Sequence, residues 1–145
     1  MSAVQDRLDI IGTCSLMAWL ADHRDWDRLG EVFTQEAVLD YTSLNGGEPV
    51  TLTPAQIGAA WSQVLGKFDA THHMISNHLV TVDGDTAVCT AYFQATHILA
   101  DRFGAPTWTL GGTYRFDLTR AAGDWRIRAV VMSATWGRGN RGLIS

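Results

Sequence analysis

Between residues 86 and 101 one face is read off at every second position: Ala87, Cys89, Ala91, Phe93, Ala95, His97 and Leu99. The positions between them include Thr90, Tyr92, Gln94 and Thr96. Period-two alternation is the signature of a strand with one side against a core and the other toward water. A second run, 107–120, alternates equally cleanly, with Trp108, Leu110, Gly112, Tyr114, Phe116 and Leu118 against Thr107, Thr109, Thr113, Arg115 and Asp117. Strand-like segments at 71–82 and 125–136 flank these two, and turns are expected at "DGD", "RFGAP" and "AAGD".

The first half reads differently. Val4, Leu8, Ile11, Ser15, Ala18 and Asp22 recur at spacings of four and three, which places them on one stripe of a helix over 3–22. Ile10, Cys14, Met17 and Leu20 lie on neighbouring stripes, so this helix is expected to be covered on two sides. A short second helix is expected in "DWDRLGEVF", capped by Asp25, then a strand at 37–43, then a loop in "SLNGGEP". A third helix begins near Thr53 with Pro54 in its first turn, and Ile57, Trp61, Val64, Leu65 and Phe68 on one face. Helices followed by a run of antiparallel strands indicate an α+β domain, with helices packed on one face of a curved sheet.

At 145 residues, 46% hydrophobic and 18% charged, the chain is expected to form one domain, 1–145, with a substantial core. A net charge of −4 gives no electrostatic reason to expect nucleic acid. Cys14 and Cys89 have no paired spacing and are read as buried thiols rather than a disulfide framework or zinc site. The start of the chain lacks the basic-then-apolar pattern of a signal peptide, and the longest apolar run, 10–21, is too short for a bilayer. The expectation is a cytoplasmic protein with no membrane contact.

Small residues facing inward beside larger ones on the next strand leave space for a lined cavity. Its expected apolar wall comprises Met74, Ala91, Phe93, Ala95, Trp108 and Tyr114. His97 is the one polar group on its strand face, and a buried imidazole needs a partner. "THHMISNHLV" at 71–80 holds three of the five histidines, yet both of its faces look mixed, so alternation does not choose between His72 and His73. Asp22, at the negative end of the helix dipole, costs stability unless something else favours it. Phosphate-loop, dinucleotide and nucleophile-elbow patterns are missing, and no spacing matches a metal site, leaving acid–base chemistry or plain binding.

These pieces, in order, resemble the NTF2-like superfamily and its SnoaL-like branch, which includes scytalone dehydratase. "ADHRDWDRLGEVFTQEAVLDYTS", "THHMISNHLV", "ATHIL" and "GGTYRFDLTRAAGDWRI" carry the resemblance, and it spans nearly the whole chain. It implies a cone built from N-terminal helices on a strongly curved, mostly antiparallel sheet. It also implies a catalytic Asp22–His73 pair, with Tyr41 as the water-holding tyrosine and His97 as the second histidine. A homo-oligomer, dimer or trimer, and no cofactor are implied as well. Ala21 stands where scytalone dehydratase has a second tyrosine, and the long closing C-terminal segment is largely missing, so scytalone itself is not the expected substrate.

The chemistry implied is elimination of water, or a related proton transfer, on a small hydrophobic or aromatic hydroxy-carbonyl compound. In it His73 is the base, Asp22 its orienting partner, Tyr41 the donor to the carbonyl oxygen, and His97 the holder of the leaving hydroxyl. Isomerisation or polyketide-type ring closure is the alternative within the same fold, and a non-catalytic small-molecule binder lies outside enzymes altogether.

Overall fold

A computed structural model describes residues 2–100 and 103–144. Helix α1 (Ala3–Asp22) opens with Ser2, whose side chain accepts the Gln5 backbone N–H. A 3-10 helix (Trp26–Glu31) and strand β1 (Phe33–Asp40) follow, then a short helix α2 (Thr42–Asn45), strand β2 (Val50–Leu52) and helix α3 (Pro54–Leu65). Four long strands complete the sheet: β3 (Ala70–Asp83), β4 (Thr86–Ile98), β5 (Thr107–Ala121) and β6 (Asp124–Gly139). A 3-10 turn, Arg141–Ile144, ends the described chain.

The six strands form one sheet in the order β2-β1-β6-β5-β4-β3. All neighbours are antiparallel except β1 and β6, which are parallel. Helix α1 packs across β3 and β6 on one face, and α3 packs against β1 and the first 3-10 helix. The architecture is the α+β arrangement expected, and the four long strands lie within three residues of their expected bounds. Asp101, the last residue expected for the second of them, and Arg102 in the turn after it lie outside the described residues.

Several local expectations are corrected. The buried side of α1 runs through Ile10, Cys14, Met17, Ala18 and Ala21, while Val4 and Leu8 are exposed. The apolar positions of this helix outnumber those the sheet can cover, and one side stays open. "DWDRLGEVF" forms a 3-10 helix, and Asp25 precedes it without capping it through its side chain. β1 spans Phe33–Asp40, so Tyr41, expected within the strand, lies beyond it as the residue before α2, and α2 takes up the end of the expected strand and the start of the expected loop. β2 was not expected; it is three residues long. α3 starts as expected, with a reciprocal capping box between Thr53 and Gln56, but it ends at Leu65, leaving Phe68 buried beyond the helix and Val64 exposed.

One irregularity explains why the histidine strand looked mixed. Between Ser76 and Leu79 the β3–β4 register shifts: Asn77 and His78 together oppose Ala91 alone. This is a β-bulge, and Asn77 takes the left-handed backbone conformation, φ 58°, that the extra residue requires. Before the bulge the inward side chains are Thr71, His73 and Ile75; after it they are His78, Val80 and Val82. A second irregularity lies between β5 and β6, where Thr135 of β6 is the extra residue opposite the adjacent pair Gly111 and Gly112. A Cβ on Gly112 would sit 1.9 Å from the Ser133 carbonyl oxygen, so only glycine permits that approach.

Candidate active site

The helices leave a hollow against the sheet, a cavity of ≈640 Å³. Met17, Ala18 and Ala21 of α1, Leu39 of β1, and Phe93, Ala95, Leu110 and Met132 of the sheet give it a largely apolar wall. That volume suits a small organic molecule. Tyr41, His73, His97 and Tyr114 are its interior polar groups.

Asp22 reaches this wall because it is the last residue of α1, one turn past Ala18. One carboxylate oxygen lies 2.7 Å from His73 Nδ1 and 3.0 Å from the Thr71 hydroxyl, which donates to it. The other accepts the backbone N–H of His73, also at 2.7 Å. Burial raises the Asp22 carboxyl, but these hydrogen bonds from His73 and Thr71 outweigh it and hold the group below the ordinary aspartate range. The helix-dipole cost at this position is thus offset by three donors. A carboxylate only accepts, so His73 Nδ1 bears the proton, and in the neutral ring the lone pair is on Nε2.

The His97 ring stands edge-on to that of His73, centroids 6.1 Å apart, and packs on Phe68 at 5.0 Å. Its Nδ1 lies 3.2 Å from the Trp108 carbonyl oxygen and donates to it, which meets the expected need for a partner. Burial lowers the affinity of His97 for a proton, with the Trp108 hydrogen bond working against that; the ring is held neutral. Tyr41 is half-buried with its hydroxyl end desolvated, and burial pushes it up to about 12, tempered by a hydrogen bond from the Tyr114 hydroxyl. Burial likewise raises Tyr114 well above the usual phenol range. Both phenols are neutral donors at physiological pH.

The sequence-derived residues therefore converge unevenly. Asp22 holds His73, while Tyr41, His73 and His97 border one hollow, as do the wall residues Phe93, Ala95 and Tyr114. Met74 does not: it lies on the outer face of β3, 58% exposed, because it alternates with His73. Ala91 is buried opposite the bulge and does not border the cavity. Trp108 borders a second lobe of ≈570 Å³ that meets the first at His97 and Leu110. His72 is exposed, and His78 turns inward after the bulge with Nε2 buried and unpartnered among the described residues. Thr71 was overlooked as a site residue, although it is two positions from His73 and so on the same face.

The chain has relatives among known proteins. A SnoaL-like domain model matches residues 2–131. An uncharacterised protein of Mycobacterium tuberculosis, Rv2910c, is 34% identical over 131 residues, covering 88% of this chain and 84% of its own length. The crystal structure of Kfla4162 from Kribbella flavida is 33% identical and superposes with a TM-score of 0.93 over 99% of both chains. A Novosphingobium aromaticivorans structure, provisionally named an aromatic ring hydroxylase, is 26% identical with a TM-score of 0.83 over 100% of both. Hexachlorocyclohexane dehydrochlorinase, 14% identical over 96% of this chain and 91% of its own with a TM-score of 0.77, shares the fold alone. No helix among the described residues is long and apolar enough to cross a membrane. With a matching domain model over nine-tenths of its length and relatives above 30% identity, the chain belongs to the SnoaL-like domain family, built on the NTF2-like fold.

Proposed function

We propose that the protein is a cofactor-independent lyase that removes water, or a comparable leaving group, from a small hydrophobic or aromatic hydroxy-carbonyl compound. The observation that carries the reading is the 2.7 Å Asp22–His73 hydrogen bond, made at the edge of an apolar cavity that His73 itself lines. His73 Nε2 takes the proton from the carbon next to the carbonyl, and Asp22 stabilises the imidazolium so formed. Tyr41, supported by Tyr114, donates to the carbonyl oxygen as the enolate develops. The C–O bond to the leaving hydroxyl then breaks, the carbon–carbon double bond forms, and the imidazolium returns its proton to the departing oxygen. Neutral His97 accepts a hydrogen bond from that hydroxyl, which keeps it close to His73. The fold neighbour named as a dehydrochlorinase removes an HX unit, a chemically parallel outcome.

A panel of aryl β-hydroxy ketones in deuterated buffer tests the reading. The expected result is deuterium entering beside the carbonyl and a product lighter by one water, both abolished by His73→Ala. A product of unchanged mass would replace elimination by isomerisation or ring closure at the same base. Turnover of an identified substrate at the wild-type rate by His73→Ala would remove the dyad from the chemistry. The reading also carries a homo-oligomer, dimer or trimer, which light scattering of the purified protein tests.

A further inference from the structure

The second lobe has a charge pattern the main cavity lacks. Its wall holds Lys67 and Arg141 and no acidic side chain among the described residues. Lys67 borders both hollows and rests its ammonium 5.2 Å from the Phe68 ring centroid; Phe68 in turn packs on His97. Neither Lys67 nor Arg141 has an ion-pair partner among the described residues, although acids outnumber bases fifteen to eleven in the sequence. Asn45 adds an amide to the same wall, and Trp108 an indole N–H that is buried with no acceptor among the described residues. Glu48, the acid of the main cavity, borders that hollow and not this lobe. Two cations and two neutral donors, gathered beside an apolar chamber, are complementary to a negative group on a ligand whose body is greasy.

The geometry points to an organic acid as the substrate. Its apolar or aromatic body lies in the main cavity against Phe93, Ala95 and Leu110, and its carboxylate lies in the second lobe between Lys67 and Arg141. A carboxylate fits better than a phosphate, because Phe68, Trp108 and Ile144 make the rest of the lobe apolar, and a doubly charged group costs more to desolvate there. The inference rests on the main cavity being the reaction site and adds to it the class of molecule. It also gives the orientation: the charged end is anchored on the His97 side, and the reacting carbon is directed toward His73.

Calorimetric titration with 2-naphthoate and 2-naphthamide, an acid and its neutral counterpart of the same shape, tests this without turnover. Naphthoate is expected to bind about fivefold or more tightly at low salt, from two partly exposed charge contacts. That advantage should shrink between about 10 mM and about 300 mM salt. Lys67→Gln and Arg141→Gln should each reduce it, and the double variant should abolish it while leaving naphthamide affinity unchanged. Imidazole resonances of His97 should move on binding of either ligand. Equal affinity of acid and amide, or an acid preference surviving in the double variant, overturns the carboxylate assignment and leaves the apolar cavity standing. If neither ligand binds, or His97 resonances stay fixed, the cavity reading falls together with it.

Discussion

Asp22 holds His73 twice: one carboxylate oxygen meets the imidazole Nδ1 and the other meets the backbone N–H of the same residue, each at 2.7 Å. A side chain and its own backbone are thus clamped by one group, which fixes both the tautomer and the direction of the ring. Asp22→Asn keeps the shape but puts an NH2 donor where one of the two acceptor oxygens stood, and removes the negative charge that stabilises an imidazolium. For a substrate found by the deuterium assay, Asp22→Asn and His73→Ala should each lower kcat by at least about 10². Circular dichroism should show both variants folded.

The same clamp makes stability depend on pH. The folded Asp22 carboxyl sits below its unfolded value, so the stabilisation is fully present above the unfolded value, near pH 4. It is lost as pH falls through the folded value. Denaturant unfolding of wild type and Asp22→Asn should therefore differ by a constant amount above about pH 5, and the gap should close below about pH 4. A gap that stayed constant down to about pH 2 would mean the carboxylate is not the group being stabilised.

Thr71 acts through Asp22 as a positioning residue, since its hydroxyl donates to the oxygen that accepts His73 Nδ1–H. Thr71→Val should cost about 1 kcal/mol of stability. It should also lower kcat several-fold while leaving KM nearly unchanged. Thr71→Ser, which restores the donor, should recover kcat. Loss of kcat in both variants alike would indicate packing by the threonine methyl instead.

At the opposite end of α1, Asp6 is buried and takes hydrogen bonds from Arg120, at 2.6 Å, and from the Trp125 indole, at 3.3 Å. It fastens the start of the helix to β5 and β6. Removing one partner of a mostly buried pair strands the other, so Asp6→Ala should destabilise by about 2–4 kcal/mol. Naphthoate affinity, measured at a temperature where the variant is still folded, should be unchanged.

Gly112→Ala tests the close approach of β5 and β6. The added methyl would meet the Ser133 carbonyl oxygen, a backbone atom that cannot swing aside. Thermal unfolding should shift down by more than for Gly123→Ala, where the turn leaves open space around the position and only a left-handed backbone is strained.

Regular pattern was the legible part of this chain. β4 and β5 alternate without interruption over the residues that line the cavity, so Phe93, Ala95, His97, Leu110 and Tyr114 could be assigned to the inner face from spacing alone. The third helix announced its start through Thr53 and Pro54 because capping is a local matter. Tyr41 was misplaced by one element, since the end of β1 is set by its parallel pairing with β6, ninety residues away. Val4 and Leu8 share the expected stripe of α1 yet are exposed, because hydrophobic periodicity does not say which of two apolar stripes the sheet will cover. Choosing His73 over His72 required the family resemblance; the residues alone could not do it, because Asn77 breaks the strand's phase.

That broken phase has an evolutionary corollary. Deleting one residue at Asn77 would take the bulge out of β3 and leave His73 and Val80 six positions apart, an even spacing that keeps both facing inward. Such a deletion would spare both the imidazole and the hydrophobic anchor. A further residue inserted here would instead need a second bulge, or one of the two side chains would rotate into solvent. Homologues of different length between 71 and 80 should therefore be aligned by which side chains face inward, not by position count, before a shared activity is assigned to them.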